Sequence, residues 1–440
     1  MRANCAWRAP RISVGVSRTC GVYSINPHIA GGNEGVAGKV ALVLGGGVGG
    51  VTAGNALRRL LGAEHRVVVL EREARYLFTP SLLWLMVGDR RPQQVARDVG
   101  DLLVPGVELV RAEVISIDPA QKVVTAGDRE LRYDALVVAL GAELAPEGVP
   151  GFAGTAHNFF DLDGATQFAE ALRTFAGGRV VVAVTALPYK CPAAPYEAAL
   201  LIEAALRRQG LRERSEVVVF TPEPQPMPVA GPVLGAAVSQ LLAERGIALH
   251  ANRPPASIDA AARELVFADG ARERFDLLAG VPPHRAPGAV RRSPLANENG
   301  WIPVDARTLR TRFADTYAIG DVTLIPLANG RPLPKAGVFA HAEALVVARE
   351  IAASFAGGAG ATFDGTGYCW VELGGGRAAF AEGDFYATPA PSIRLRRPGV
   401  LWHLGKVIFE RSWLGGGLER VLARAALRLG ARVTGVRATL

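Results

Sequence analysis

The sequence predicts an α/β protein that contains two parallel, doubly wound sheets and a smaller C-terminal region of strands and helices. Apolar strands alternate with helices along most of the 440 residues, which is the pattern of parallel sheets covered by helices. Hydrophobic residues make up 49% and charged residues 20% of the chain, a balance typical of a compact globular protein. A chain of this length is too long for one hydrophobic core, so two or three domains are expected.

The clearest local pattern is an apolar strand followed by a glycine-rich turn and a helix. KVALVL leads into GGGVGG and then into VTAGNALRRLLG. Gly45, Gly47 and Gly50 form a G-x-G-x-x-G fingerprint, in which glycine permits the tight turn, the approach of a pyrophosphate and close helix packing. The next strand ends at Glu71, whose carboxylate is placed to bind ribose hydroxyls. These features predict a Rossmann unit that binds a dinucleotide.

Two later strand–glycine segments favour FAD as that dinucleotide. ALVVALGA contains Gly141, and YAIGDV contains Asp321; such segments mark both returns of the chain to the FAD domain in flavoproteins with two dinucleotide domains. Asp321 is expected near the ribityl and pyrophosphate groups, or else caps the next turn. Residues 39–150 and 295–345 are therefore expected to form the FAD-binding domain, into which a second Rossmann-like domain, residues 151–294, is inserted.

The second Rossmann-like unit lacks a glycine fingerprint. RVVVAV, the helix YEAALLIEAALRRQG and EVVVF repeat the strand–helix–strand order, but the intervening turn reads TALPYKCPAAPYEAA. Prolines stiffen this loop, and Cys191 occupies a position where a nicotinamide dinucleotide needs bare backbone. Tight NAD(P)H binding is therefore not expected, and the site is predicted to be degenerate.

Cys191 is a candidate redox thiol. It follows Lys190 and precedes a helix, and both features are expected to lower a thiol pKa, although a buried core cysteine is the commoner case. Glu197, in the first turns of that helix, either moves a proton near the sulfur or only complements the helix dipole. Cys369 lies in the strand-like GTGYCWVEL, and the sequence leaves open whether it meets Cys191. The four cysteines include no C-x-x-C pair, so no metal site is predicted.

A lysine precedes the long helical pattern PKAGVFAHAEALVVAREIAASF. Lys335 and the helix start near Gly337 bring positive charge to one place, which would stabilise an anionic reduced flavin. The alternative is an ordinary first turn of a helix.

The two ends of the chain differ from the rest. Residues 1–38 are basic and irregular and lack the apolar segment of a secretory signal, so a disordered leader or a start site assigned too early is expected. Residues 346–440 are expected to form the C-terminal region. Its last helix has an apolar face and a basic face. The apolar face consists of Leu418, Val421, Leu422, Ala425 and Leu429, and the basic face of Arg420, Arg424 and Arg428. Leu427 is an exception to this pattern.

The amphipathic helix is consistent with three surroundings: a membrane surface, the body of the protein and a second copy in a homo-oligomer. No apolar run reaches the roughly 18 residues of a membrane span, so a peripheral membrane location is expected. The net charge of +8 is spread along the chain without interleaved aromatic residues, so no nucleic-acid partner is predicted. The charge belongs either to solvated surface or to a face attracted by an anionic membrane.

Four longer segments resemble the sulfide:quinone oxidoreductases: KCPAAPYEAA, PKAGVFAHAEA, GYCWVELGGGRAAFAEGDFY and WHLGKVIFERSWL. Relatives of this family are the flavoprotein subunit of flavocytochrome c sulfide dehydrogenase and the type II NADH dehydrogenases. The resemblance runs from about Lys39 to about Leu414. It implies an FAD enzyme that oxidises sulfide to polysulfide or sulfur and reduces a membrane quinone.

The resemblance also implies roles for single residues. Cys191 and Cys369 match the family cysteines on one side of the flavin, where the pair starts oxidised, as a disulfide or a bridging polysulfide. Sulfide attacks one sulfur and forms a persulfide, and the released thiolate adds to the flavin. Two electrons pass to FAD and then to quinone on the opposite face, near the helix after Lys335. Glu197 matches an acid proposed to move protons at the sulfur site. Many members carry a third cysteine where this chain reads HNFFDLDGATQF, so the resemblance does not extend to a covalent flavin link.

Three alternatives stay open at the level of the sequence. One is a flavocytochrome subunit that passes electrons to a haem partner, and another is NADH:quinone reduction by a type II NADH dehydrogenase-like enzyme. The missing second fingerprint and the two cysteines count against the NADH-dependent reaction. The third alternative belongs to another class, a non-enzymatic FAD-binding protein.

Overall fold

The computed structural model describes residues 38–436, so the interpretation of residues 1–38 as a leader lies outside the described residues, apart from Gly38. Within this range the helices α1 to α9 are, in chain order, Val48–Leu60, Leu82–Met86, Leu162–Arg173, Ala194–Arg208, Pro232–Ala243, Gly288–Arg291, Gly337–Ala356, Val400–Leu414 and Gly417–Thr434. The strands β1 to β14 are Val40–Leu44, Arg66–Glu71, Arg75–Leu77, Ala96–Asp98, Val107–Arg111, Val114–Asp118, Val123–Ala126, Arg129–Arg132, Ala135–Val138, Glu143–Leu144, His157–Asn158, Gly178–Val184, Ser215–Phe220 and Ile247–His250. The strands β15 to β25 are Pro255–Asp259, Glu264–Phe267, Arg272–Arg274, Leu277–Val281, His284–Arg285, Ile302–Pro303, Thr316–Ala318, Thr323–Leu324, Thr366–Gly374, Arg377–Asp384 and Ser392–Gly399.

The first parallel sheet has the strand order β21-β9-β1-β2-β5. Its central strands read as unbroken apolar runs because helices and loops cover both faces, and residues 41–44 of β1 are fully buried. The chain order reverses at β1, which pairs with β2 on one side and β9 on the other. In sheets of this kind ligands bind at such a switch point, beyond the carboxyl ends of the strands.

The second parallel sheet has the strand order β11-β18-β12-β13-β14. The apolar segment RVVVAV forms β12 at its centre, and α4 follows that strand. Most of α4 is buried on all sides, as expected for a helix whose apolar residues surround its axis. Because α4 begins at Ala194, the loop that carries Cys191 ends at the base of this buried helix.

Antiparallel elements complete the fold. A three-stranded sheet, β6-β7-β8, separates β5 from β9, and a similar one, β15-β16-β17, separates β14 from β18. A third, β23-β24-β25, precedes the terminal helices α8 and α9. The prediction of an α/β protein with two Rossmann-like parallel sheets and a C-terminal region of strands and helices is confirmed, while the exact domain boundaries stay predictions.

The last helix, α9, packs through a different face from the one that its sequence pattern suggests. The residues of α9 that are buried are Ala423 and Leu427, so Leu427, which breaks the sequence pattern, is the residue that anchors the helix. The predicted apolar stripe lies in solvent, with large exposed fractions at Leu418, Val421, Leu422 and Leu429. The stripe therefore does not pack on the described body of the protein, and its contact with a membrane surface or a second copy stays a prediction.

Candidate active site

The turn between β1 and α1 has the geometry that the glycine fingerprint predicts. Gly45 has a φ of +102°, and its N–H donates to the carbonyl of Leu70 at 2.7 Å. A Cβ at Gly50 would lie 1.7 Å from the carbonyl oxygen of Gly45, so only glycine fits there, whereas a Cβ at Gly47 would meet nothing within 4 Å. No described side chain caps the first amides of α1, so these N–H groups are available to the phosphates of a dinucleotide.

The two glycines predict contrasting effects of the same substitution. Gly50→Ala should lower the free energy of unfolding by about 3 kcal/mol, because the new methyl group overlaps the Gly45 carbonyl. Gly47→Ala should leave the apoprotein as stable as the wild type, since Gly47 has a φ of −73° and open space around it. It should nevertheless weaken flavin binding at least about tenfold by blocking the pyrophosphate. Denaturant unfolding of both apoproteins and flavin titration measure this contrast; equal effects of both changes on stability would contradict it.

The other predicted FAD contacts lie around the same edge of the first sheet. Glu71 ends β2, and its carboxylate accepts the N–H of Gly46 at 2.5 Å and the N–H of Glu73 at 2.7 Å. Gly141 follows β9 with a φ of +69° and open space at its Cβ position. Asp321 follows β21 and lines the cavity described below, where burial raises its pKa. This edge fits FAD; the individual contacts to it stay predictions.

Lys335 lies under the start of α7. Its Nζ donates to the carbonyls of Asp321 at 2.6 Å and Thr323 at 3.1 Å, and lies 3.5 Å from the centre of the Trp301 ring. Burial lowers the pKa of Lys335 to about 8. Helix α7 begins at Gly337, so the lysine and the helix start bring positive potential to one side of the cavity, as the sequence suggested.

The two cysteines that the sequence left unconnected line one cavity of about 360 Å³. Cys191 has a left-handed φ of 55°, and its N–H donates to the carbonyl of Lys335 at 2.7 Å. Cys369 lies within β23, where its thiol donates to the carbonyl of Trp370 at 3.3 Å. Both thiols are free in this structure, and the cavity brings them together with Asp321 and the start of α7.

The thiol pKa values contradict the expectation from the sequence. Burial raises the pKa of Cys191 to about 12, the carboxylate of Glu197 raises it further, and Lys406 opposes both. Burial also raises the pKa of Cys369 well above its usual value, with a further contribution from the nearby Cys191. The helix start and Lys190 do not outweigh the loss of hydration. As free thiols, both groups are therefore protonated at neutral pH.

A buried ion pair lies beside the cysteines. The Nζ of Lys406, from α8, donates to Oε1 of Glu197, from α4, and the two residues are only 5% and 2% exposed. The pKa of Glu197 is raised to about 7, because burial raises it more than the charge of Lys406 lowers it, and Glu372 also raises it. Glu197 therefore changes its protonation state near neutral pH, which suits a group that exchanges protons with a sulfur substrate.

The ion pair continues toward the surface through two more residues. Burial disfavours the charge of Lys406, but Glu197 and Glu372 together raise its pKa above the usual value. Oε2 of Glu372 lies 2.9 Å from Nδ1 of the partly exposed His403, and its Oε1 has no hydrogen-bond partner among residues 38–436. Lys406 and Glu372 interact through their charges, so these residues form a cluster of ionisable groups beside the cysteines. The sequence reasoning assigned no role to Lys406, Glu372 or His403, although all three lie in the quoted C-terminal segments.

At the corresponding edge of the second sheet, two tyrosines occupy the carboxylate that would bind the ribose of NAD(P)H. Glu223 lies just after β13, and its Oε2 accepts hydrogen bonds from the hydroxyls of Tyr189, at 2.8 Å, and Tyr196. In NAD-dependent Rossmann domains an acid after the second strand binds the ribose hydroxyls. Here the two tyrosines, from the loop of Cys191 and from α4, occupy that carboxylate, which supports the prediction of a degenerate site.

Among residues 38–436 no group of His, Cys, Asp and Glu side chains could hold a metal ion. No helix there is long and apolar enough to cross a membrane.

The comparisons with known proteins agree with this geometry. Residues 39–344 match the family model of the pyridine nucleotide-disulphide oxidoreductases. The mitochondrial sulfide:quinone oxidoreductase of Mus musculus is 26% identical over 370 residues, which cover 79% of this chain and 78% of that protein. The sulfide-quinone reductase of Aquifex aeolicus is 26% identical over 330 residues, which cover 71% of this chain and 76% of the relative.

A solved structure gives the same result for the fold. The sulfide:quinone oxidoreductase of Aquifex aeolicus superposes with a TM-score of 0.75 at 23% identity, covering 86% of this chain and 90% of that one. The resemblance to sulfide:quinone oxidoreductases is thus confirmed for both sequence and fold. The chain belongs to the pyridine nucleotide-disulphide oxidoreductase family and is a flavin-dependent oxidoreductase.

Proposed function

We propose that this protein oxidises sulfide to polysulfide or sulfur through Cys191 and Cys369 and passes the electrons, by way of FAD, to a membrane quinone. The observation that carries the proposal is the cavity that both cysteines line, beside the ion pair of Glu197 and Lys406. The named activity of the relatives from Mus musculus and Aquifex aeolicus supports the same substrates. FAD, when bound at the glycine turn, supplies the two-electron carrier between sulfide and quinone.

The residues of the cavity suit the sulfur chemistry. In the oxidised form of the pair, the sulfur of HS⁻ attacks one Sγ, the bond between the cysteines breaks, and a persulfide and a thiolate result. Lys406 stabilises this thiolate, since its charge lowers the pKa of both cysteines. Glu197 takes up the proton of the persulfide, and Lys406, which donates to Glu197, holds a positive charge beside it.

The proposal predicts a specific electron donor. Anaerobic addition of sulfide should bleach the visible absorbance of the flavin rapidly, whereas NADH should leave it unchanged, since Tyr189 and Tyr196 occupy the carboxylate of Glu223. Bleaching by NADH alone would overturn the proposal. Transfer of electrons from the reduced protein to a haem protein but not to a quinone would support a flavocytochrome subunit instead.

Glu197→Gln should change the pH dependence of sulfide oxidation. Since the pKa of Glu197 is about 7, its base form increases as the pH rises through that value, and the advantage of wild type over the variant should increase with it. At high pH the variant should be about 10²- to 10⁴-fold slower, the usual contribution of a general base. Stopped-flow flavin reduction at several pH values measures the ratio of the two rates, in which the ionisation of sulfide itself cancels. A ratio that stays constant with pH would rule out this role.

The proposed membrane contact is the exposed apolar surface of α8 and α9. Val400, Leu401 and Leu404 of α8 are at least half exposed, and the stripe of α9 adds further leucines and valines. An apolar surface of this kind is typical of interfacial helices and of protein–protein contacts. We propose a peripheral membrane location, and a homo-oligomer formed through the same helices is the alternative.

A further inference from the structure

Three arginines from two helices meet where the cavity reaches the surface. Arg59 lies in the last turn of α1, and Arg424 and Arg428 lie one turn apart on α9. All three line the cavity and are exposed to solvent, so they mark its opening. Burial lowers the pKa of Arg424, and the nearby charges of Arg420, Arg59 and Arg428 lower it further.

This arginine cluster has no anionic partner in the part of the chain that the structure describes. In the described range, residues 38–436, none of the three arginines forms an ion pair with a carboxylate. The neighbouring cavity residue His341 does not balance the charge, since burial and the charge of Arg424 lower its pKa to about 4 and leave it neutral at pH 7. Three like charges at one opening repel one another unless an anion joins them.

Another arginine group in the same protein shows the usual arrangement. Arg207, Arg212 and Arg245 surround the fully buried carboxylate of Glu203, with Arg245 at 3.0 Å and Arg212 at 3.4 Å. That group carries its own anion. Within residues 38–436 the cluster of Arg59, Arg424 and Arg428 lacks one, so it is open to an external anion.

We propose that the arginine cluster binds the phosphate of an anionic phospholipid at the opening of the cavity. Guanidinium groups match phosphate oxygens in geometry and charge. On α9, Arg424 and Arg428 lie between the buried side, with Ala423 and Leu427, and the exposed apolar stripe. If the stripe enters a bilayer, these arginines come to the level of the headgroups.

The apolar stripe favours a lipid over a soluble phosphate. Leu418, Leu422 and Val433 of α9 are 73%, 59% and 78% exposed, and a soluble anion would bind the arginines without needing this surface. A lipid satisfies both features, because its phosphate meets the arginines while its chains meet the leucines and valines. The inference rests on the membrane contact of the proposed function and adds a specific headgroup site, which places the opening of the cavity at the bilayer.

The test is co-sedimentation of the full chain with vesicles of phosphatidylcholine, alone or mixed with phosphatidylglycerol. Arg59→Gln should weaken binding to the anionic vesicles about five-fold, equivalent to the ~1 kcal/mol of a basic residue near an anionic surface, and leave binding to phosphatidylcholine unchanged. Arg274→Gln removes the same charge from an 81% exposed side chain on β17 and should have no effect. Arg59 is the informative position because it lies outside the amphipathic helix.

Each other outcome has one meaning. Equal binding of wild type, Arg59→Gln and Arg274→Gln to the anionic vesicles would overturn the headgroup site and leave the membrane contact intact. A protein that binds both kinds of vesicle equally and is released by inorganic phosphate at constant ionic strength would indicate that the arginines bind a soluble anion. That result would also overturn the headgroup site. A dimer in light scattering that binds neither vesicle would overturn the membrane contact, while flavin reduction by sulfide, measured separately, would still test the chemistry.

Discussion

Replacing either Cys191 or Cys369 by serine is expected to slow the reduction of the flavin by sulfide by at least about 10³-fold, the scale on which the loss of a covalent nucleophile acts. A serine hydroxyl forms neither the bond between the two residues nor a persulfide. Both side chains line the cavity, so either change removes the oxidised pair. Stopped-flow absorbance with sulfide under anaerobic conditions measures the effect.

Two controls separate loss of chemistry from loss of structure. Both variants should bind flavin as the wild type does and should still be bleached by dithionite, since serine is close to cysteine in size and neither change alters the glycine turn of residues 45–50. The double variant Cys5→Ser, Cys20→Ser makes the same chemical substitution outside the described residues and should keep full activity. Full sulfide response in both Cys191→Ser and Cys369→Ser would eliminate the redox pair from the mechanism.

The raised pKa values of Cys191 and Cys369 mean that a thiolate in the cavity needs a nearby cation. Because burial raises the pKa of both thiols, a thiolate released in the cavity is unstable unless a cation compensates it. Lys406 supplies that charge, and its own pKa is raised by the two carboxylates Glu197 and Glu372. The ion pair of Glu197 and Lys406 therefore stabilises the cysteine thiolate as well as accepting the proton.

The parts of the site that follow from local sequence could be predicted. The glycine turn, Glu71 and the segment with Asp321 belong to short strand–turn–helix units, in which neighbours along the chain decide the geometry. The absence of a second glycine fingerprint is likewise visible in the sequence, because Cys191 and its prolines stand in place of the glycines; the degenerate NAD(P)H site itself stays a prediction.

The charges around the cysteines could not be predicted in the same way. Lys406 and Glu197 are separated by more than 200 positions and meet only because α8 and α4 both pack against β23. The sign of the thiol pKa shift depends on burial, which the neighbouring Lys190 does not reveal. Leu427 gives a second example, at the surface. In the sequence it is an exception to the amphipathic pattern of α9, whereas in the structure it is one of the residues that pack the helix against the protein.

Lys406→Met is expected to be the most damaging single change outside the cysteines. It leaves Glu197 buried without its counter-charge, a situation that costs about 3–5 kcal/mol when one partner of a buried ion pair is removed. Because Lys406 also lowers the pKa of Glu197 and of both cysteines, its loss should raise all of these pKa values. The remaining sulfide oxidation should therefore shift to higher pH and become slower.

The double variant Lys406→Met, Glu197→Gln distinguishes the two roles of this ion pair. It removes both charges. Because two neutral side chains can be buried without a counter-charge, most of the lost free energy of unfolding should return. Sulfide oxidation should not return, because the thiolate still lacks its cation and the proton its acceptor. Denaturant unfolding and stopped-flow reduction on the wild type, both single variants and the double variant give the comparison. If stability and sulfide oxidation recovered together, Lys406 and Glu197 would only support the fold, and the source of thiolate stabilisation would have to lie elsewhere in the cavity.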